Sequence, residues 1–385
     1  MRVLLSCLQS TRTHSLPAYG FWRDYFVRGC REAGIECIEV PRVDWAEGLT
    51  YPPGKECEAW RARTWQMVLD FVRAEQKRAR LHCFLSYLYP GQVERSAIVE
   101  LQRIGIPCVN FFCDNVREFD RIPAEYRDFT LHWVPEFEAV EMYRNAGLPH
   151  IHAPMPCWVP PAFRVPPRDE TEPPTFIGSA DLLRRHVLGQ AMNGAADLVV
   201  RGPGWGADDR SAPAAPRVRS IARTLANQAR FLRTHGVRAY CYKMTDKLYP
   251  VHTPGVHPSR VRPAVFGEEY FRVTRESMVT IGVNRVPTWK ASNRRPLTYS
   301  RLRDLEAPML GACYLTEWTA GLNDLYEIGV DIDCYRTPEE LCGKLSELRR
   351  DQSRRRLMRE RAQRRALEEH SVARSMDRIR ARLGL

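Results

Sequence analysis

Eight prolines fall between Pro154 and Pro174, at 154, 156, 160, 161, 166, 167, 173 and 174. Each fixes φ and lacks an N–H, so neither a helix interior nor a central strand tolerates that density. The stretch reads as a stiff connector, with its narrowest part at 161–174, and it divides the chain into two halves that must each bury their own core. The 385-residue length agrees, being about twice that of a common single domain.

Before the connector, short apolar runs alternate with amphipathic ones. Strand-like segments at 3–8, 36–40, 82–88 and 108–113 are separated by helix-like ones at 21–33, 56–78 and 93–104, with Gly or Pro at the boundaries. This βαβ rhythm predicts a parallel sheet flanked by helices over residues 1–160. After the connector a second alternation runs over 175–350: strands at 175–177, 198–200, 278–283, 312–315 and 332–335, and helices at 182–192, 268–276, 301–310, 321–326 and 338–350. The segment 207–263, rich in Pro, Arg and His around one helix-like run at 221–234, breaks the rhythm and reads as an insertion. Residues 351–385 read as one or two terminal helices, placed to pack back on the first half. The expected fold is α/β, two Rossmann-like domains facing a central cleft, with C-terminal helices.

Lys and Arg number 58 against 46 Asp and Glu, a net charge of +12. Only six of the cations are Lys, and thirteen Arg fall between Arg349 and Arg382, so one terminal helical stretch carries much of the imbalance. A solvated basic face is the plain reading, and a nucleic-acid contact its alternative. The twelve Cys form no CxxC pair and sit mostly in apolar contexts, as expected for reduced thiols in the cytoplasm. No run of about 18 apolar residues exists, and residues 1–8 turn polar too soon for a leader or membrane span.

Three stretches of the second half carry a resemblance. They are Met278-Val-Thr-Ile-Gly-Val-Asn-Arg285, then Arg303-Asp-Leu-Glu-Ala-Pro-Met-Leu-Gly-Ala-Cys-Tyr-Leu-Thr-Glu317, then Ile328-Gly-Val-Asp-Ile-Asp-Cys-Tyr-Arg-Thr-Pro-Glu-Glu-Leu341. Together they resemble the glycosyltransferases of the spore-maturation-protein CgeB-like group, which have the GT-B architecture. That group's pattern is Arg-x-Phe-Glu, a glycine five residues on, then Leu-Thr-Glu. Here Leu305 replaces the Phe, while Arg303, Glu306, Gly311, Leu315, Thr316 and Glu317 fall in place. Phe176-Ile-Gly-Ser179, followed by Arg184-Arg185, is similar to the start of that group's donor domain. The first half resembles it only through Phe111-Phe-Cys-Asp-Asn115. The resemblance implies transfer of a sugar from a nucleotide-diphosphate sugar without a metal or other cofactor, and leans towards retention.

Such a reaction must hold a diphosphate, orient a ribose and stabilise charge on the leaving group. The Gly178-Ser179 turn opens a helix whose amides and positive end suit phosphate, with Arg184 within reach; relatives often place a second cation where this chain has Ala180. The resemblance implies that Glu306 accepts ribose hydroxyls, although a simple helix-terminus role is the alternative. The wider superfamily often has a second Glu eight residues earlier, where Thr298 stands here. Arg303 faces phosphate or pairs with Glu306. Gly311 is read as allowing close backbone approach, Thr316 as a phosphate contact, and Asn284 and Glu317 as donor-site residues. Gly202 and Trp205 lie in a strand-end loop where the indole either stacks on a ligand or packs inside.

On the acceptor side, Asp114 ends a strand and is the candidate base or acceptor contact, with helix capping its alternative. His14, in the loop after the first strand, is the second candidate. Asp331-Ile-Asp333 imitates a metal-binding DxD but leads into a strand, the histidines at 150, 152, 252 and 257 lack a ligand spacing, and Gly202-Pro-Gly-Trp lacks the GxGxxG spacing. No metal site is expected. A nucleotide-sugar epimerase of the same fold, a non-catalytic sugar-nucleotide-binding scaffold and a nucleic-acid-binding protein are the competing readings. The acceptor, the oligomeric state and the identity of the sugar are left open by the sequence.

Overall fold

In the computed structural model, residues 1–10, 12, 19–167, 169–194, 196–206 and 221–385 are described. His14 lies outside them, as does the 207–220 part of the anticipated insertion. The chain forms two compact units, one of Met1–Val159 with Ala366–Leu385 and the other of Pro160–Arg365.

The first unit is built on six parallel strands: β1 (Arg2–Ser6), β2 (Glu36–Ile38), β3 (Cys83–Ser86), β4 (Cys108–Phe111), β5 (Leu131–Val134) and β6 (His150–His152). Their order is β2-β1-β3-β4-β5-β6, so the direction of winding reverses between β1 and β3. The crossovers carry α1 (Tyr19–Glu32), α2 (Lys55–Arg78), α3 (Arg95–Arg103), α4 (Asn115–Glu118) and α5 (Phe137–Asn145). Strands β3, β4 and β5 are buried along their whole length, as befits a parallel sheet covered on both faces; β5 and β6 lie outside the segments that the sequence pattern marked as strands. Aromatic side chains fill the α1 side of the sheet: Phe26 meets Phe111 and Trp133 edge-on, at ring-centroid distances of 5.6 and 6.0 Å.

The second unit repeats the plan with β7 (Thr175–Ile177), β8 (Val199–Arg201), β9 (Val261–Arg262), β10 (Thr280–Gly282), β13 (Tyr314–Glu317) and β14 (Asp333–Tyr335), in the order β14-β13-β10-β7-β8-β9. Here the winding reverses between β7 and β10. A short antiparallel pair, β11 (Arg285–Val286) with β12 (Leu297–Thr298), stands apart from the sheet. The helices are α6 (Leu182–Asn193), α7 (Ile221–Leu248, broken at Gly236), α8 (Gly267–Glu276), α9 (Arg303–Met309), α10 (Leu322–Leu325) and α11 (Pro338–Arg350). The segment expected as an insertion therefore ends in a sheet strand, since β9 pairs in parallel with β8. Two residues in an Arg- and Pro-rich context are too few to show period-two alternation.

The C-terminal helices are α12 (Gln352–Glu369) and α13 (Val372–Leu383). Helix α13 lies against α1 in the first unit, where Gly29 leaves room for Val372; a Cβ there would stand 2.4 Å from the valine's. The expectation of a merely solvated basic tail is corrected by Arg355 and Arg359, which are 5% and 3% exposed. Both grip Glu170, at 2.6 and 3.2 Å, and Arg359 also donates to the carbonyls of Arg275 at 2.7 Å and Ser277 at 2.7 Å. These arginines tie α12 into the second unit. All twelve cysteines are unbridged, and among the described residues no helix is long and apolar enough to cross a membrane.

Candidate functional site

In open α/β sheets ligands bind beyond the C-terminal ends of the strands, where the winding reverses. In the second unit that place lies at the ends of β7 and β10. Strand β7 runs into the Gly178-Ser179 turn, and Asp181 then caps α6 by accepting the Arg184 N–H at 2.9 Å. The turn is braced from below. The Gly178 N–H donates to the Arg201 carbonyl at 2.8 Å, and Ala180 N–H donates to the Pro203 carbonyl at 2.9 Å. Gly202, with φ 139°, makes this approach possible, because a Cβ there would stand 2.3 Å from the Gly178 carbonyl oxygen. The amides of Gly178 and Ala180 are thus engaged within the protein, and charge for an anion must come from side chains.

Those side chains are arginines. Arg184 folds back over the turn, donating from Nη1 to the Ser179 carbonyl at 2.9 Å and lying 3.4 Å from Asp181. Burial holds its pKa below the ordinary range, and the positive charges of Arg301 and Arg303 push in the same direction against Asp181. Arg184, Arg301 and Arg303, from two separate segments, thus lie within electrostatic reach of one another. Arginines so placed suit an anionic ligand, and a diphosphate carries two charged groups with oxygens matched to forked donors.

Glu306 stands on the same short helix as Arg303 and is 6% exposed. The phenolic O–H of Tyr270, on α8, donates to Glu306 Oε2, and Arg303 lies over the Tyr270 ring with its guanidinium carbon 5.2 Å from the centroid. One tyrosine thus touches both the carboxylate and the arginine. Sequence reasoning missed Tyr270, which lies 36 positions upstream on another helix and belongs to none of the motif stretches. It missed Arg301 too, which reads as one more cation in a basic segment.

Several expected donor contacts are instead supports. Asp304, fully enclosed, accepts from Tyr314 O–H at 2.8 Å, Ser300 O–H at 2.9 Å, Thr316 O–H at 3.0 Å, Asn284 Nδ2 at 3.0 Å and Arg301 N–H at 3.0 Å. Burial raises its pKa while these donors oppose the shift. Asn284 and Thr316 are spent on this cluster and sit at 1% and 0% exposure, so both are corrected from ligand contacts to the frame that fixes α9. Glu317 is also corrected: it is clasped by Arg285, with Nε to Oε1 at 2.8 Å, and caps the Asn284 and Arg285 amides at 3.2 and 3.1 Å. Trp205 is no stacking surface. Its indole N–H donates to the Gly178 carbonyl at 2.7 Å, Phe176 packs edge-on at 5.9 Å, and the Arg185 guanidinium covers the ring at 5.4 Å. Gly311 sits past the far end of α9, before β13 starts, where its carbonyl accepts from Arg359 at 3.1 Å. It lies at the N-terminal start of β13, at the opposite end of the strands from the β7 turn, where a Cβ would meet Gln363 and Pro166. Gly178, Ser179 and Arg184 adjoin one another with Gly202 beneath them, Arg303 acts on Arg184 through its charge, and Glu306 follows Arg303 on α9.

In the first unit, Asp114 occupies the cap position of α4 just beyond β4, yet its side chain makes no capping hydrogen bond. The carboxylate of Glu136 caps that helix from the end of β5, accepting the Asn115 N–H at 2.8 Å. The DxD look-alike is engaged in ion pairs: Asp331 with Arg365, and Asp333 with Arg354 at 2.7 Å and Lys344 at 3.2 Å.

Two parallel-sheet Rossmann-like units with C-terminal helices define the GT-B fold of sugar transferases. Residues 184–381, just over half of the chain, match the family described as glycosyl transferase-like. The chain belongs to that family, and its enzyme class is glycosyltransferase. No curated protein matches it in sequence. Among solved structures it is similar to sucrose-phosphate synthase from Thermosynechococcus elongatus, with TM-score 0.57, 12% identity and 99% and 98% of the two chains covered. It is also similar to HepE of Anabaena, solved in complex with UDP-glucose, with TM-score 0.57, 11% identity and 100% and 99% covered. A glycosyltransferase of Rickettsia africae gives TM-score 0.54 at 10% identity, covering 99% and 98%. At these identities the likeness is one of fold.

Proposed function

We propose that this protein moves a sugar from a nucleotide-diphosphate sugar to an acceptor hydroxyl, without a metal ion and with retention at the anomeric carbon, and that it acts in the cytoplasm as a member of the CgeB-like group. The observation that carries the reading is Arg184 folded over the turn after β7, with Arg301 and Arg303 within electrostatic reach of it, and a single tyrosine, Tyr270, holding both Arg303 and the Glu306 carboxylate. In this reading the guanidiniums bind the diphosphate and take up the negative charge that grows as the sugar–phosphate bond breaks. Glu306 accepts the ribose hydroxyls. The departing phosphate oxygen takes the acceptor's proton, and Asp114 orients the acceptor. The donor panel starts from UDP-glucose, the ligand of the Anabaena structure, and extends to GDP- and dTDP-sugars. The reading expects saturable binding of one donor, lost in Glu306→Ala, slow donor hydrolysis that persists in excess EDTA, and a released sugar whose first-formed anomer matches the donor by NMR. Absence of binding across the panel overturns it; inverted product or activity abolished by EDTA overturns the retaining or the metal-free part alone.

A further inference from the structure

The first unit holds a hollow of about 420 Å³ that none of the donor chemistry uses. It opens beyond the C-terminal ends of β1 and β2 and is lined by Gln9, Ser10, Arg23, Glu39 and the 40–43 segment. That size suits a small polar ligand of one or two rings, and strand ends are where an open sheet of this kind receives ligands.

Two features set this hollow apart. Among the described residues, the only non-glycine residues with positive φ are Leu8 at 62° and Arg42 at 66°. Leu8 directly precedes the wall at Gln9, and Arg42 is part of the wall. A left-handed backbone is strained for an L-residue, and two such residues flank one hollow. The second feature is charge. Arg23 and Glu39 neutralise each other through a fork with Nε to Oε1 at 2.9 Å and Nη2 to Oε2 at 2.7 Å. Among the described residues no carboxylate pairs with Arg42, which is exposed and leaves the lining one positive charge in excess. Ser10 is held by its hydroxyl to Asp44 at 2.7 Å, and Gln9 by its amide to the Leu5 carbonyl at 3.0 Å, so the polar wall is fixed in place.

We infer that this hollow binds the acceptor, and that the acceptor is an acidic sugar or polyol whose carboxylate or phosphate is met by Arg42 while Glu39 and Ser10 face its hydroxyls. The inference rests on the transferase reading above and adds the acceptor's chemical class. Arg42 lines the hollow at a strained position where glycine would be the relaxed choice.

That strain separates binding from folding. Arg42→Gly removes the cation and relaxes the backbone, so its melting temperature stays at or above that of the wild type. Its affinity for an anionic probe falls tenfold or more. The probes are glucuronic acid, glucose 6-phosphate and glucose, titrated by calorimetry or ligand-observed NMR into the full chain, with UDP-glucose as a parallel titrant. Wild-type binding of at least one acid in preference to glucose, lost in a well-folded Arg42→Gly, supports the inference, and which acid binds distinguishes carboxylate from phosphate. Equal binding by wild type and variant, equal binding of glucose, or no binding of either acid at millimolar concentration overturns it. If the acids fail while a nucleotide sugar still binds, the acceptor assignment falls alone; if the nucleotide sugars fail as well, the transferase reading falls with it.

Discussion

Tyr270 connects the two residues to which the proposed function assigns the donor's ribose and diphosphate. Its O–H restrains one oxygen of Glu306, and its ring face carries the Arg303 guanidinium. Removing the hydroxyl in Tyr270→Phe leaves the ring and so the arginine in place, but takes away one restraint on a largely buried carboxylate. A hydrogen bond to a charged group is worth about 1.5–3 kcal/mol, so the donor KM should rise about tenfold or more. The kcat should change little, because ribose contacts are the same in the ground and transition states. On the proposed reading Glu306→Ala removes the acceptor of the ribose hydroxyls altogether, and its donor affinity should fall at least about a hundredfold on the same arithmetic. Steady-state kinetics with calorimetry check both. An unchanged KM in Tyr270→Phe would mean that Glu306 does not touch the donor.

At the scale of elements, function concentrates where strands end. The loops after β7 and β8 are locked by carbonyl–amide pairs across Gly178 and Gly202. Gly202→Ala forces a Cβ against a backbone carbonyl that cannot swing away. A loss of about 2–4 kcal/mol is expected from such strain, with donor binding weakened even where the protein remains folded; chemical denaturation and donor titration read the two effects. In the first unit the β5–α5 corner gives a pH signature. Burial pushes the Glu136 carboxyl from 4.5 up to about 8, with the Asn115 bonds opposing. A folded-state pKa above the unfolded one means that its stabilising contribution is complete below about pH 4.5 and is lost as the pH rises through about 8. Glu136→Gln should therefore melt close to the wild type at pH 5 and above it at pH 9, which thermal denaturation at the two pH values checks. The elements themselves were largely legible. The core strands are apolar runs bounded by Gly or Pro, and α6 and α9 begin where the helix signals stand. The two-residue strands β9, β11 and β12 were not, because they are too short to show a period, nor were β5 (Leu-His-Trp-Val) and β6 (His-Ile-His), whose histidines break the apolar run. The site was legible as a motif containing Arg303 and Glu306, but not as a division of labour. Asn284, Asp304, Thr316 and Glu317 are polar residues in a matching motif, and only their burial reveals that they hold the frame while Arg184, Arg301 and Arg303 present the charge.

For the molecule as a whole, the question is what a net charge of +12 does. A polyanion responds to cations that reach solvent, and each phosphate neutralised adds about one to the slope of log affinity against log salt. The arginine-rich C-terminal stretch offers fewer such cations than its sequence suggests. Arg355 and Arg359 are enclosed around Glu170, Arg354 is paired with Asp333, and Arg365 with Asp331. These pairs make the stretch a fastening of the second unit, which predicts two linked outcomes. Glu170→Ala leaves two buried guanidiniums without their shared carboxylate and should cost about 3–5 kcal/mol of stability. The intact protein, in turn, should bind RNA or duplex DNA only weakly, with an affinity that vanishes by physiological salt. Fluorescence anisotropy across a salt series measures the second outcome and denaturant unfolding the first. Tight polynucleotide binding with a steep salt slope, together with a Glu170→Ala variant as stable as the wild type, would mean that these arginines serve an external anion and not the fold.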